Sequence, residues 1–128
     1  MEVVLLDTNA YTAYRRGDRE VFRALSQAGS VLFSFFVYAE LLEGFRGGTR
    51  DKENRNSLED FLAKPGVRLA IPTIRTAEYF AIVKNRLRAI GRPIPLNDVW
   101  IAAQCLEHGA LLLTMDAHFD SVEGLRKI

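Results

Sequence analysis

The sequence predicts an α/β fold with a central, mainly parallel sheet of four to five strands. Four short runs of apolar residues alternate with longer segments in which apolar residues recur at helical spacing. The short runs are apolar throughout rather than at every second residue, which is typical of strands buried on both faces. Alternation of such strands with helices indicates three layers, with helices on both faces of the sheet.

The chain is expected to form a single domain over residues 1–128. It is 48% hydrophobic, enough for one core, and too short for two. No apolar stretch approaches the roughly 20 residues that cross a bilayer, and no signal-peptide pattern is present, so we expect a cytoplasmic protein without membrane association. Cys105 alone cannot form an internal disulfide, and His108 and His118 lack zinc-finger spacing. Any metal site is therefore expected to use oxygen ligands.

Turn residues and helix caps define the elements of the first half of the chain. Asp18 is a suitable N-cap, and Gly17 and Gly47 follow helical patterns. The expected strands are Val3–Leu6 and Ser30–Ser34, and the expected helices occupy about 8–16, 18–27 and 35–47.

The second half is expected to repeat the alternation. Asn97 is predicted to be the N-cap of a helix that ends before Gly109, and Pro65–Gly66 is predicted to be a turn. The expected order is a helix in 49–63, a strand at 67–71, a helix at 73–90, a helix at 98–108, a strand at 110–114, a short helical turn and a last strand at 125–128.

Acidic residues recur where strands of the predicted sheet end. Asp7 directly follows the first strand, Glu40 lies on the helix after the second, and Asp116 lies just past the fourth. Asp98 begins the helix that precedes the fourth strand, and it reaches the same edge only if the linker 92–96 returns the chain there. Because sites in parallel sheets form outside the carboxyl ends of the strands, these four acids are the candidate site.

Each acid also has a structural explanation. Asp7 would serve as the cap of the first helix, and Asp98 as a partner of the dipole of its own helix. Glu43 competes with Glu40 on the same helix. Asp116 would cap the short turn AHF that follows it, and Asp120 is a second acid within reach of the same edge. The residues alone leave these alternatives open.

Converging carboxylates need a positive partner. Two unit charges 4 Å apart repel by about 4 kcal/mol at an effective dielectric of 20, which is a large fraction of a domain's stability. Carboxylate oxygens suit Mg²⁺ or Mn²⁺, and such an ion activates water and stabilises a departing oxygen. The acids therefore indicate hydrolysis of phosphodiesters.

The contexts of these acids resemble a known family. The segments LLDTN, AELLEG, PLNDVWIAA and LLLTMDAHF, with a closing VEGL, are similar to those of the PIN-domain ribonucleases, most closely the VapC-type toxins of prokaryotic toxin–antitoxin pairs. The resemblance extends over essentially the whole chain. It implies a PIN-like α/β/α domain that binds Mg²⁺ or Mn²⁺ and cuts structured RNA such as transfer or ribosomal RNA.

The resemblance also assigns residues and partners. Asp7, Glu40, Asp98 and Asp116 match the metal-binding, catalytic acids of the family, and Asn9 and Thr114 match polar positions that support them. It further implies a homodimer and a small VapB-type antitoxin, which inserts a segment into the active-site groove and binds operator DNA.

Basic residues are candidates for contacts with RNA phosphates. Six basic residues and one acid lie between Arg68 and Arg92, although a solvated helix face explains any one of them equally well. The candidate phosphate contacts are Arg15, Arg16, Lys84, Arg86 and Arg88. His118 is adjacent to the acids, but a metal-activated water needs no general base, so no catalytic role is assigned to it.

Other α/β classes fit less well. A haloacid-dehalogenase-like phosphatase needs a second acid two residues after Asp7, where this chain has Asn9. A phosphoacceptor module needs a lysine at a late strand end, and Lys127 is nearly terminal. An inactive RNA-binding α/β module is disfavoured because all four acids are present.

Overall fold

The computed structural model describes residues 2–128, which contain four strands, six α-helices and one 3-10 helix. The strands β1 to β4 are Val3–Leu6, Ser30–Ser34, Val67–Ala70 and Leu111–Leu113. The helices α1 to α6 are Thr8–Arg15, Arg19–Gln27, Phe35–Arg46, Asp51–Leu62, Ile74–Ala89 and Leu96–Glu107, and the 3-10 helix is Ala117–Ser121. The predicted α/β fold is confirmed.

All neighbouring strands of the sheet are parallel, in the order β3-β2-β1-β4. The central strand β1 is flanked by β2 and β4, and Leu5, Leu32 and Leu112 at the middle of these strands are completely buried. The chain passes from β1 to β2 and β3 in one direction and then crosses to the other side of β1. Strand order therefore reverses between β1 and β4, and the crevice outside such a reversal is where open parallel sheets place their sites.

Two helices begin directly at the carboxyl ends of strands, without an intervening loop. Asp7 caps α1 by accepting a hydrogen bond from the Ala10 amide, and Ser34 caps α3 by accepting from the amides of Phe36 and Val37. The cap satisfies backbone donors that the first helical turn leaves unpaired. This tight junction fixes the side chains of α1 and α3 relative to the sheet edge.

The boundaries of two elements differ clearly from the sequence prediction. Helix α6 begins at Leu96 after Pro95, so the prediction of Asn97 as the N-cap is wrong. Proline suits this position because its missing amide would have no helical partner. Strand β3 ends at Ala70 and does not include Ile71, which the sequence had placed in the strand and which is exposed.

The predicted last strand is reduced to a single bridge. Leu112 pairs with Leu5 in the sheet, accepts a hydrogen bond from the Ile128 amide, and donates to the Arg126 carbonyl. An isolated bridge between Leu112 and Lys127 is the pairing found in the predicted strand. As for a membrane span, none of the helices in the described residues is both long and apolar enough to cross a bilayer.

Candidate active site

Asp7 lies at the junction of β1 and α1, and its side chain is nearly buried, with the residue 4% exposed. One carboxylate oxygen accepts the Ala10 amide at 2.8 Å and the other accepts the Thr114 hydroxyl at 2.5 Å. Asp7 therefore caps α1 and also belongs to the group of acids at this edge of the sheet. Burial raises the pKa of Asp7, and Asp116 and Glu40 raise it further, against the hydrogen bonds from Thr114 and Ala10.

Thr114 connects the ends of the two central strands. The register pairs Leu6 with Leu113, so the next residues, Asp7 and Thr114, lie side by side. The Thr114 hydroxyl donates to Asp7 and accepts the backbone N–H of Asp116 at 3.0 Å. The contact with a carboxylate that the resemblance implied for Thr114 is present.

Asp98 reaches the same edge from the first turn of α6. Burial raises the pKa of Asp98, and the charges of Asp116 and Glu40 raise it further, whereas His118 lowers it. Because Asp116 and Glu40 raise the pKa of both Asp7 and Asp98, these two acids lie within electrostatic range of each of the other two. The condition placed on the linker 92–96 is therefore met.

Aromatic stacking holds the start of α6 against its neighbours. The Trp100 ring lies between Phe36 of α3 and Phe80 of α5, with centroid distances of 4.9 and 4.0 Å. On α3, five residues after its start, Glu40 accepts a hydrogen bond from the side-chain amide of Asn97 at 2.5 Å. The stack and the hydrogen bond together bring Glu40 and Asp98 to one place.

The two competing acids lie outside this cluster. Glu43 is exposed, and its side chain forms no hydrogen bond or ion pair with the described residues. Asp120 is exposed and forms an ion pair with Lys127. The geometry therefore favours Glu40 over Glu43 and Asp116 over Asp120.

His118 belongs to the cluster, although no catalytic role was predicted for it from the sequence. Its Nδ1 atom lies 3.3 Å from Oδ2 of Asp98 and 3.2 Å from Oδ2 of Asp116. Potential ligand atoms of the three residues all lie within 4.8 Å of one another. The expectation of oxygen ligands alone thus omitted an imidazole. The spacing of Asp116 and His118 was the available signal, because a tight 3-10 turn brings residue i+2 back towards its capping acid.

Asn9 does not make the contact that the resemblance implied. It is exposed, its side chain has no hydrogen bond to any residue in 2–128, and it lies beside Arg16 and Met115 on a shallow surface cleft. The amide that does hold a carboxylate is that of Asn97. A supporting role for Asn9 stays a prediction.

The composition of the cluster fits a divalent cation. Within the described part of the chain, no lysine or arginine forms an ion pair with any of its four acids. Carboxylate oxygens and an imidazole nitrogen are common ligands of divalent metals. Asp98 and Asp116, with His118 between them, present such atoms at close range, and Asp7 and Glu40 add negative charge behind them.

The candidate phosphate-binding residues lie on α1 or its C-cap and on α5, and none of them forms an ion pair with the four acids in the described residues. Arg15, which donates to Ser57, and Arg16 line a cleft of about 540 Å³ between α1, α3 and α4. Helix α5 runs antiparallel to α6, because Thr76 near its start bonds Glu107 at the end of α6. The last turns of α5 are therefore beside the start of α6, and they carry Lys84, Arg86 and Arg88. Arg86 pairs with Glu123 at 3.7 Å, and Arg88 donates a hydrogen bond to the side chain of Asn85.

Comparison with known proteins agrees with this architecture. The PIN domain family model matches residues 4–125. Ribonuclease VapC2 of Haemophilus influenzae is 30% identical over 125 residues, covering 95% of this chain and 93% of that protein. Ribonuclease VapC1 of H. influenzae strain R2866 is 32% identical over 84 residues, 66% of this chain. The match spans only 61% of the length of that VapC1 relative.

Solved structures show the same fold. The structure of VapBC-1 from nontypeable H. influenzae matches with a TM-score of 0.87 and 26% identity, covering 98% of this chain and 96% of that one. VapBC2 from Rickettsia felis, bound to a DNA fragment from its promoter, matches with a TM-score of 0.86 and 21% identity over 98% and 97% of the two chains. The resemblance seen in the sequence motifs is confirmed, and the chain belongs to the PIN-domain family.

Proposed function

We propose that this protein, a single PIN domain over residues 1–128, is an endoribonuclease that depends on Mg²⁺ or Mn²⁺. The observation that carries the proposal is the group of four acids at the reversal of strand order, with no lysine or arginine paired to them in the described residues. A cluster of this kind reduces stability unless a cation neutralises it. The curated relatives, which are named ribonucleases, support the choice of RNA as substrate.

The residues that would hold the cation are Asp98 and Asp116, with Asp7 and Glu40 completing the charge. A divalent ion at this place would lower the pKa of a water molecule and stabilise negative charge on a phosphodiester. Thr114 fixes the carboxylate of Asp7 beside the backbone of Asp116, and Asn97 holds one oxygen of Glu40. These neutral donors orient the acids without supplying the positive charge that a cation would bring.

The basic residues at the rim would bind the phosphates that flank the cleavage site. Arg15 and Arg16 approach from α1, and the last turns of α5 approach from the side of α6. Structured RNA, such as transfer or ribosomal RNA, presents phosphates on several strands at once, which suits basic residues on two sides of the acids. The structure of Mycobacterium tuberculosis VapC20, described as a sarcin-ricin loop cleaving toxin, shares the fold at a TM-score of 0.70 and 17% identity.

We also propose that the protein is the toxin of a type II toxin–antitoxin pair, in the cytoplasm, with a VapB-type antitoxin as partner. The relatives named VapC and the VapBC complexes among the solved structures support this proposal. Operator DNA would be bound only through the antitoxin. A homodimer is supported by exposed apolar side chains beside the aromatic stack, Phe35 at 39% and Leu96 at 56% exposure.

The experiment compares neighbouring acids. Purified wild type, Asp116→Asn and Asp120→Asn are incubated with a panel of cellular RNAs and Mg²⁺ or Mn²⁺. Wild type and Asp120→Asn should cut at the same discrete position, and EDTA or Asp116→Asn should abolish the cut. Asp120 is the matched control because it is paired with Lys127, outside the cluster. RNA left intact by antitoxin-free wild type with either metal would refute the proposal.

A further inference from the structure

The imidazole of His118 lies in the gap between two carboxylates of the proposed metal site. We propose that Nδ1 of His118 is itself a ligand of the divalent cation and makes the site prefer Mn²⁺ to Mg²⁺. The inference rests on the metal dependence proposed above and identifies a nitrogen ligand at that site.

The distances fit a shared cation. Nδ1 is 3.3 Å from Oδ2 of Asp98 and 3.2 Å from Oδ2 of Asp116. Ligand atoms on adjacent corners of an octahedron with bonds of about 2.1 Å lie about 3 Å apart. Nδ1 is almost equally far from the two carboxylate oxygens, one on α6 and one at the cap of the 3-10 helix, and is not close to one acceptor alone. The three atoms are thus arranged as neighbouring ligands rather than as one donor with one acceptor.

Local structure holds the imidazole at this place. The backbone N–H of His118 donates to Oδ1 of Asp116 at 2.9 Å, and this bond caps the 3-10 helix. The next residue, Phe119, is 1% exposed and anchors the turn in the core. The His118 side chain is 50% exposed, so its ring can adjust to a cation without disturbing the core.

The identity of the donor determines the metal preference. Mg²⁺ strongly favours oxygen ligands and retains several waters, whereas Mn²⁺ accepts imidazole more readily. Loss of the imidazole should therefore weaken Mn²⁺ binding much more than Mg²⁺ binding. Even supporting residues around metals change affinity by about 10-fold to 100-fold, so a lost ligand should reduce Mn²⁺ affinity at least about tenfold.

Pulsed electron paramagnetic resonance of bound Mn²⁺ tests the ligand directly. Nitrogen coordinated to Mn²⁺ gives a ¹⁴N hyperfine coupling, and the chain has only two histidines, at positions 108 and 118. Wild type and His108→Gln should show the coupling, and His118→Gln should bind Mn²⁺ without it. His108 is the matched control because it caps the other end of α6.

A competition titration of Mn²⁺ against Mg²⁺ tests the preference. The ratio of the two dissociation constants should shift about tenfold towards Mg²⁺ in His118→Gln, and an equal ratio in both proteins would overturn the proposed selectivity. Wild type that binds Mn²⁺ and cuts RNA without ¹⁴N coupling would show that His118 is not a ligand, and would leave the nuclease proposal intact. Wild type that neither binds Mn²⁺ nor cuts RNA would overturn both.

Discussion

Each end of α6 carries a largely buried carboxylate, one surrounded by hydrogen-bond donors and the other by further acids. Glu107 at the end of the helix is 7% exposed in its side chain and accepts hydroxyl hydrogens from Thr76 at 2.6 Å and Thr73 at 3.3 Å. These threonines lie at the start of α5, where the helix dipole favours negative charge. Asp98 at the beginning of α6 is 19% exposed and faces other acids.

The comparison separates a carboxylate that stabilises the fold from one that serves a site. Neutral donors and a helix terminus satisfy Glu107 within the protein. Among the described residues, His118 is the one neighbour of Asp98 whose side chain can carry a positive charge. The adjacent acids make the ionised form of Asp98 less favourable. We expect a carboxylate in such a repulsive environment to be neutralised by a ligand from outside the chain, and a cation is the simplest candidate.

The largest expected effect is on catalysis. Asp98→Asn should reduce RNA cleavage at least about a hundredfold, because metal-assisted stabilisation amounts to several kcal/mol. Glu107→Gln should cleave at close to the wild-type rate. Single-turnover rates at saturating Mn²⁺ measure both, and equal losses in the two variants would remove the proposed distinction.

The next effect is on metal affinity. Thr114→Val removes the hydroxyl that joins Asp7 to the backbone of Asp116, so Mn²⁺ affinity should fall by about 10-fold to 100-fold. Thr76→Val removes the equivalent donor to Glu107 and should leave Mn²⁺ affinity unchanged. Calorimetric titration with Mn²⁺ distinguishes the variants, and unaltered binding by Thr114→Val would contradict the role given to Thr114.

Metal-free stability should respond with opposite signs at the two ends of α6. In EDTA at neutral pH, Asp98→Asn should raise the free energy of unfolding by about 1 kcal/mol, and Glu107→Gln should lower it by a similar amount. Because the pKa of Asp98 is raised in the folded protein, its ionised form costs stability above that pKa. The advantage of Asp98→Asn should disappear as the pH falls below the unfolded pKa. Urea unfolding at several pH values is the measurement, and a loss of stability in Asp98→Asn at neutral pH would argue against a repulsive site.

The smallest effect concerns RNA binding at the two edges of the sheet. Arg16 lines the cleft near Asn9, whereas Arg126 pairs with Glu2 and bonds the Gly109 carbonyl at the opposite edge. Arg16→Gln should weaken RNA binding a few-fold and reduce the salt dependence by about one phosphate contact. Arg126→Gln should do neither. Filter binding at several salt concentrations would detect the difference, and equal salt slopes for the two variants would exclude a phosphate contact by Arg16.

Sequence reasoning located two of the acids, Asp7 and Asp116, because each stands just past the end of a strand. Asp7 and Asp116 follow apolar runs that can only be strands, and parallel topology brings strand ends to one edge. The position of Asp98 was harder to predict, since the linker before α6 has no hydrophobic periodicity that indicates its path. Its position depends on the stacking of Trp100 between two other helices, which is a tertiary contact.

The supporting residues were less predictable for the same reason. Asn9 and Asn97 each stand within two residues of an acid, and the contact of α3 with α6 decides that Asn97 is the one that binds a carboxylate. The position of the His118 side chain depends on the five-residue 3-10 helix, which is capped by Asp116. Strand and helix patterns carry information about burial, whereas these contacts depend on distances between elements that are far apart in the chain.

The pairing of Asp7 with Thr114 has a consequence for the order of events during synthesis. The two residues are separated by 107 positions, and β4 is the last strand to emerge from the ribosome. A nascent chain that has not yet added β4 lacks Asp116, His118 and the hydroxyl that orients Asp7. Its folding is completed by a contact of very high sequence separation, which forms late. The proposed site is therefore assembled only after β4 and the 3-10 helix have been synthesised.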